Sequence, residues 1–215
     1  HVAEGPPWSF RQPLRYEAAP AHGAPPEPDE AQDVIVRRNI AAFGPASVAD
    51  IVQFTMQKVP VIRAAVTRIG DDLVTLRGPD GTELLDSAGG PPIPAASVTA
   101  PLRLMAMWDS ALLAYRDRSR ILPDAARPHV IRRNGDVLPT VLVEGTVAGV
   151  WRMTDDGIEV SAFRALTSDD HDELEREARA LVAAVGDRRP LPFRRYDSWW
   201  SKLPSDNTEV QVDVG

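Results

Sequence analysis

The chain has 215 residues, no cysteine and a formal charge of −7 at pH 7, from 31 acidic and 24 basic side chains. Without cysteine it has no disulfide framework, thiolate zinc site or cysteine nucleophile. No segment resembles a signal peptide, and no apolar run approaches the roughly 18 residues of a membrane span. The composition therefore predicts a cytoplasmic protein, and the length favours two folded units because single domains usually have about 100 to 200 residues.

The charge is unevenly distributed along the chain. Residues 33–70 and 97–152 each carry a net charge of +3, whereas residues 153–187 carry −7. The two basic segments keep nucleic acid open as a partner even though the whole chain is acidic.

Residues 1–32 contain seven prolines and little apolar periodicity, which predicts an extended arm or linker. The chain begins at His1 and not at methionine. We therefore expect the natural N-terminus to lie upstream of this residue.

The next segment has the pattern of three helices. The first covers residues 33–43, where Asp33 is spaced to pair with Arg37 on the same helix face. The second covers residues 47–56, with Ser47 as its N-cap. The third covers residues 60–70 and begins with a proline, which suits the first helical position.

Strand-like segments follow the third helix. DLVTLR and TELLD flank the turn GPDG, which predicts a hairpin over residues 72–86. Three helices and a hairpin over residues 33–87 predict a winged helix, with residues 60–69 as the recognition helix and the hairpin as the wing. Its outer face offers Arg63, Thr67 and Arg68, while Asp80 and Glu83 at the wing tip would repel phosphate. A three-helix unit that serves only as scaffold remains the alternative.

Beyond a linker at residues 88–96, residues 97–187 predict a second domain. The turns Asn134-Gly135, Glu144-Gly145 and Asp156-Gly157 predict four antiparallel strands, beginning with HVIRR. A helix capped by Thr167 or Ser168 follows, and we expect its acidic face to lie in solvent or against a partner. The expected fold class is α+β, a winged helix followed by a small antiparallel β-barrel or sheet with a C-terminal helix.

Two further segments combine basic residues with other features. In the tail 188–215, RRYDSWWSK could stack on unpaired bases or anchor its tryptophans on the domain. In YRDRSR, Arg118 and Arg120 share a face if the backbone is extended, and with Arg132 and Arg133 they predict a basic patch. Alternatively, Asp109 and Asp117 pair with these arginines within the fold.

Metal and cofactor chemistry has little support in the sequence. The four histidines are isolated from one another, and no glycine-rich phosphate loop is present. We therefore expect no metal and no cofactor.

Three motifs resemble a known family. FGPASVADI, WDSALLAYRDRSRIL and RRNGDVLPTVLVEGTVAGVW are similar to the bacterial winged-helix family of the YcaQ and azinomycin-resistance type, over roughly residues 33–186. The resemblance implies tandem winged helices and a β-barrel around a DNA channel. It also implies a DNA-repair glycosylase that removes alkylated or crosslinked purines.

The catalytic signature of that family is Gln-x-Gln or Gln-x-Asp in the N-terminal half. The sequence interpretation assigns this motif to none of the chain's glutamines, which are Gln12, Gln32, Gln53, Gln57 and Gln211. No catalytic residue is therefore predicted. Either an N-terminal unit is missing, with HVAEGPPWSF as the end of its wing, or the chain is a relative that only binds.

The sequence thus predicts a protein that binds double-stranded DNA. Arg63, Thr67 and Arg68 would approach the groove, and Arg37, Lys58, Arg118, Arg132 and Arg133 would contact phosphates. A protein-interaction module and a transcription regulator are the alternative hypotheses. The regulator is less favoured because the presumed recognition helix has few side chains that can reach base edges.

Overall fold

A computed structural model describes residues 23–90, 99–154, 156–185, 195–204 and 207–213. The described residues form two compact units. The helical unit comprises residues 23–90 and 110–118, and the sheet unit comprises the other described residues.

The helical unit contains the three expected helices and the hairpin. The helices are α1 (Pro28–Phe43), α2 (Val48–Thr55) and α3 (Val59–Arg68), and a 3-10 turn (Gly70–Asp72) leads from α3 into the hairpin. The hairpin strands β1 (Leu73–Arg77) and β2 (Glu83–Ser87) pair antiparallel. The predicted N-cap of α2 is confirmed, because Ser47 Oγ accepts from Asp50 N at 3.2 Å and Asp50 Oδ2 accepts from Ser47 N at 2.8 Å.

The core of the helical unit fixes which face of α3 is outside. Ile62 and Ala65 of α3, and Ile69 directly after it, are at most 2% exposed and pack with residues of α1, α2 and β2. Burying such side chains contributes about 2 kcal/mol each for the larger ones. Arg63 and Thr67 lie on the opposite, exposed face.

Two domain boundaries differ from the prediction. Helix α1 begins at Pro28, inside the expected linker 1–32, because proline suits the first turn and Asp29 and Glu30 follow it there. Residues 110–118, which contain the short helix α4 (Ser110–Leu113), belong to the helical unit and not to the predicted domain 97–187. Tyr115 Oη donates to Phe43 O at 2.9 Å, and Arg116 N donates to Asp50 Oδ1 at 2.7 Å.

The sheet unit is built on five antiparallel strands in chain order, β3 (Arg103–Met105), β4 (Thr140–Val143), β5 (Thr146–Thr154), β6 (Gly157–Ala162) and β7 (Thr208–Val212). The predicted turn Glu144-Gly145 joins β4 to β5, and both residues have positive φ, 51° and 76°, as a tight hairpin requires. The predicted turn Asp156-Gly157 lies at the junction of β5 and β6. The strands on either side of these two turns are confirmed.

The predicted first strand of this sheet is wrong. Part of HVIRR lies in a short helix, α5 (Arg127–Val130), and Ile131 forms only an isolated bridge with Val137 across the Asn134-Gly135 turn. Pro128 in the first turn of α5 favours the helix there. The edge strands β3 and β7 were not predicted.

Helix α6 (Ser168–Val185) packs on one face of the sheet. Its apolar residues Leu174 and Ala178 are fully buried against Leu102, Ile158 and Val160. The predicted cap is Thr167, whose Oγ1 accepts from Asp170 N at 3.1 Å. The sequence pattern also places Val185 on the apolar face of this helix and predicts its end at Gly186; the Val185 side chain and Gly186 lie outside the described residues.

The acidic face of α6 is only partly in solvent. Glu173 Oε2 accepts from Leu102 N at 2.9 Å, and Glu177 Oε1 accepts from Leu104 N at 3.4 Å. These carboxylates satisfy alternate N–H groups along the edge of β3. The expectation of a solvent-facing acidic helix is therefore wrong for Glu173 and Glu177.

The C-terminal tryptophans are anchored on the sheet unit. They belong to α7 (Arg195–Trp200), where Trp199 is 8% exposed. The indole of Trp200 donates to Glu159 Oε1 at 3.1 Å and lies 4.4 Å from the Arg152 guanidinium. This favours the anchoring interpretation of RRYDSWWSK over base stacking.

Candidate nucleic-acid interface

The outer face of α3 and the turn before it carry positively charged side chains, and this segment of the sequence has no acidic residue. Residues 51–70 include Lys58, Arg63 and Arg68 and no aspartate or glutamate. The side chains of Lys58 and Arg63 are exposed, and neither forms an ion pair with any described residue. Their charges are therefore available to an external anion.

The exposed face of α3 beside and beyond Arg63 carries small side chains. Ala64 and Thr67 are exposed on the same side of α3, and Thr67 Oγ1 is folded back to donate to Arg63 O at 3.0 Å. Small side chains on an exposed helix face allow the backbone of the helix to come close to another surface. The exposed face of α3 thus carries Arg63 beside small side chains.

Arg68 is held within the fold. Its Nη2 donates to Asp33 Oδ1 at 2.7 Å and its Nε at 3.0 Å, while Nη2 also reaches Asp29 O at 3.2 Å. The hydrogen bond to Asp33 raises the pKa of Arg68. This forked contact joins α3 to α1 and compensates the charge of Arg68.

Arg37 has a carboxylate partner as well. It forms an ion pair with Asp72 of the 3-10 turn, and both side chains are about half exposed, at 47% and 54%. The predicted pairing of Arg37 with Asp33 is wrong, because Asp33 binds Arg68 instead. Asp33 and Arg37 lie one turn apart in α1, but each forms its ion pair with a residue outside this helix.

The remaining predicted phosphate contacts have different environments. Arg118 Nε donates to Leu112 O at 2.5 Å within the helical unit. In the sheet unit, Arg132 Nη2 donates to Trp199 O at 3.3 Å, and its buried Nε has no acceptor among the described residues. Arg133 is exposed and has no ion-pair partner in the described part of the chain.

The eight predicted site residues thus divide between the units. Arg37, Lys58, Arg63, Thr67, Arg68 and Arg118 belong to the helical unit, and Arg132 and Arg133 belong to the sheet unit. Among the described residues, three of the eight are exposed cations without an ion pair, namely Lys58, Arg63 and Arg133.

The sequence interpretation missed three exposed residues of the helical unit. Arg38 and Arg116 are exposed and form no ion pair with a described residue. Met56 is 90% exposed and ends α2 with φ 56° and ψ 21°. The arginines could have been found from the charge pattern, whereas the exposure of Met56 depends on how α2 and α3 pack.

The tip of the hairpin keeps its negative charge. Asp80 Oδ2 accepts from Thr82 Oγ1 at 2.6 Å and Asp80 Oδ1 accepts from Thr82 N at 3.0 Å. The hydrogen bond from the Thr82 hydroxyl lowers the pKa of Asp80. The carboxylate therefore shapes the turn and stays ionised, which makes this tip a poor partner for phosphate.

One glutamine does have the Gln-x-Asp spacing, which corrects the sequence interpretation. Gln211, Val212 and Asp213 lie at the end of β7 and in the residue after it, in the C-terminal part of the sequence. Gln211 Nε2 donates to Asp156 O at 3.2 Å, and Val212 is buried in the core. These contacts give the segment a role in closing the sheet, and we assign it no catalytic role.

Among the described residues, histidine, aspartate and glutamate side chains do not gather in the threes that a metal ion needs. No described helix is both long and apolar enough to cross a membrane.

Comparison with known proteins decides the family. The model of a protein family described as "DNA glycosylase AlkZ-like" matches residues 1–184 of the sequence. The chain belongs to the AlkZ-like DNA glycosylase family. The resemblance inferred from the three sequence motifs is thereby confirmed.

A curated relative and a solved structure from Streptomyces sahachiroi are similar to this AlkZ-like chain. An interstrand DNA cross-link repair glycosylase is 29% identical over 181 residues, which cover 80% of this chain and 47% of the relative. The structure of the DNA glycosylase AlkZ matches with a TM-score of 0.65 and 25% identity, over 78% of this chain and 46% of AlkZ. The chain spans about half the length of each, and it shares their mixed α+β fold of helices and an antiparallel sheet.

Proposed function

We propose that this chain is the duplex-gripping part of a DNA-repair glycosylase that acts on alkylated or crosslinked purines. The observation that carries the proposal is the exposed face of α3, where Lys58 and Arg63 lie in a stretch without carboxylates. Such a face in a member of a DNA glycosylase family fits contact with a polyanion.

The helical unit would bind as a winged helix. In this arrangement α3 enters the major groove, and the hairpin β1-β2 lies beside it as the wing. Ala64 and Thr67 leave room for the helix backbone, while Lys58 at the start of α3 reaches the phosphates. The anionic hairpin tip at Asp80 would stay away from the DNA backbone.

The strength of each proposed phosphate contact follows from its present partners. Lys58, Arg63 and Arg133 have no carboxylate to give up, so they can bind phosphate at the lowest cost. Arg37 and Arg68 would have to exchange Asp72 and Asp33 for a phosphate. Arg118 and Arg132 would have to keep or exchange their backbone acceptors. We therefore rank the first three above the others.

The catalytic side chains of the reaction would come from residues other than those named above. A glycosylase reaches its target base by taking it out of the stack, which needs a pocket and catalytic side chains near the flipped nucleotide. We assign no catalytic residue within this chain, since its single Gln-x-Asp sequence is used in β7.

Binding to an alkylated duplex at several salt concentrations tests the proposal. The log-log slope is expected to be about −0.9 for each phosphate contacted. The chain should bind this duplex, and a glycosylase assay on the same duplex should detect no base excision. Absence of binding at low salt would reject the DNA role. Base excision by these 215 residues would show that the chain does contain catalytic residues.

The alternative of a protein-interaction module through the acidic helix receives less support. Two of the carboxylates that would have faced a partner, Glu173 and Glu177, are engaged with the edge of β3. Their charges are therefore partly used within the sheet unit.

A further inference from the structure

The turn between α2 and α3 projects an apolar side chain into solvent. Met56 is 90% exposed, and Val59, at the start of α3, is 45% exposed. The turn itself is built by Thr55, whose hydroxyl donates to Ile51 O at 2.6 Å and accepts from Gln57 N at 3.4 Å. Met56 lies between these anchored residues and does not contribute its side chain to the core.

The backbone at this position does not favour methionine. Met56 has φ 56° and ψ 21°, the left-handed conformation that glycine and asparagine adopt at lower cost. A turn that served only to connect two helices would be more stable with either of those residues. The methionine side chain is therefore better explained by something that it contacts outside the fold.

The charge around Met56 indicates the kind of partner. Lys58 lies two residues away and Arg63 one further turn along α3, while residues 51–70 contain no carboxylate. An apolar tip in a segment whose charged residues are all cations is complementary to duplex DNA, in which apolar base surfaces lie between phosphates. Methionine suits base contact because it is unbranched and flexible, and it is among the residues that proteins insert between base steps.

We propose that Met56 is a base-contacting residue that touches the base surface of duplex DNA when α3 lies in the groove. The inference rests on the proposed DNA-binding function and deepens it, since it assigns an apolar contact beside the phosphate contacts of Lys58 and Arg63. The contact is either to a thymine methyl group in an intact groove or to an unstacked step.

Three variants of the full chain test this inference by fluorescence anisotropy with an intact duplex. Met56→Leu retains an apolar side chain and should bind like the parent. Met56→Gly and Met56→Asn fit the left-handed backbone without an apolar side chain, and each should bind about tenfold more weakly, the size of one good base contact. The salt slope should not change, because no phosphate contact is lost. Both variants should melt at or above the temperature of the parent, because the backbone strain is relieved.

A second duplex with one mismatched step separates the two kinds of contact. A loss of affinity that is larger on the mismatched duplex than on the intact duplex would identify insertion into an unstacked step. An equal loss on both duplexes would identify contact with base edges in the groove. Either result supports a base contact by Met56.

Three other results would overturn the inference. Parental affinity in both Met56→Gly and Met56→Asn would show that the side chain is not used. A loss in Met56→Gly alone would identify backbone flexibility as the cause. A change in sedimentation without a change in DNA affinity would identify a second copy of the chain as the occupant. If the parent bound no duplex at low salt, the proposed function and this inference would both be rejected, whereas DNA binding unaffected by Met56 would reject the inference alone.

Discussion

Arg68 Nη2 lies 2.7 Å from Asp33 Oδ1 and joins the last turn of α3 to the first half of α1, across 35 residues of sequence. The contact orients α3 in the helical unit and removes one of the three cations of residues 51–70 from the pool available to DNA. Arg68 thus supports the proposed interface by positioning α3.

Replacement of Arg68 separates this positioning role from DNA contact. Arg68→Gln should lower the melting temperature modestly, because the forked bond to Asp33 is lost from a partly exposed site. The salt slope of DNA binding should stay the same. Arg38→Gln, at an exposed position with no described ion-pair partner, is the matched control and should not change the melting temperature. A reduced slope in Arg68→Gln would show that Arg68 contacts phosphate after all.

The exposed cations Lys58, directly before α3, and Arg63, within it, are expected to contribute to the salt dependence of DNA binding. Lys58→Gln and Arg63→Gln should each make the log-log slope shallower by about 0.9, with no change in thermal stability, because neither side chain has an internal ion pair in the described structure. Arg176→Gln changes the net charge equally on α6 and should leave the slope unchanged. If all three variants had the same effect, the charge of the whole chain and not the face of α3 would govern binding.

The carboxylate at the edge of the sheet is expected to contribute to stability. Glu173→Ala leaves the N–H of Leu102 without its acceptor and should lower the free energy of unfolding by about 2 kcal/mol in urea denaturation. Glu175→Ala, which removes only an exposed pair with Arg179 on the same helix, should have a much smaller effect because solvent screens that pair. Equal effects of the two substitutions would contradict the edge-covering role of Glu173.

The stability of the sheet unit is expected to depend on the ionisation of Glu209. Partial desolvation, and then the nearby Glu159 carboxylate, raise the pKa of Glu209 above its usual value of 4.5, although the residue remains exposed and solvent keeps the effect on stability small. The folded state therefore binds the proton more tightly than the unfolded state. The resulting stabilisation is fully present below pH 4.5 and is lost as the pH rises through the folded-state pKa.

Glu209→Gln should remove this dependence. The variant should gain stability relative to the parent as the pH rises from 4.5 towards neutrality, which urea denaturation across that range would measure. Asp170 is a control of opposite sign, since its pKa is lowered by hydrogen bonds from Thr167 and Arg164 despite opposing burial. A parent and a Glu209→Gln variant with parallel pH profiles would contradict the assignment.

The sequence was sufficient for elements with local determinants. The cap at Ser47, the spacing of Ile62 and Ile69, and the turn Glu144-Gly145 each involve residues close together in the chain. They predicted the three helices, the hairpin and the strands β4 to β6. The family also followed from sequence, because its motifs are contiguous.

The site was harder to predict because charge partners are chosen by tertiary contact. Asp33 is correctly spaced for Arg37 in α1, but α3 brings Arg68 closer in a forked geometry. Likewise, Glu173 was predicted to lie in solvent, but β3 brings the Leu102 N–H to it across 71 residues. The exposure of Met56 follows from the packing of α2 and α3, which no local pattern encodes.

The most direct test of the central claim compares the affinity for duplex DNA of the parent with that of Lys58→Glu/Arg63→Glu at low salt. The control is Arg176→Glu/Lys202→Glu, which makes the same change in net charge on the sheet unit. The account predicts that reversal on α3 abolishes binding without loss of fold, while the control binds nearly as well as the parent. Retained binding by the α3 variant, or equal loss in both, would contradict it.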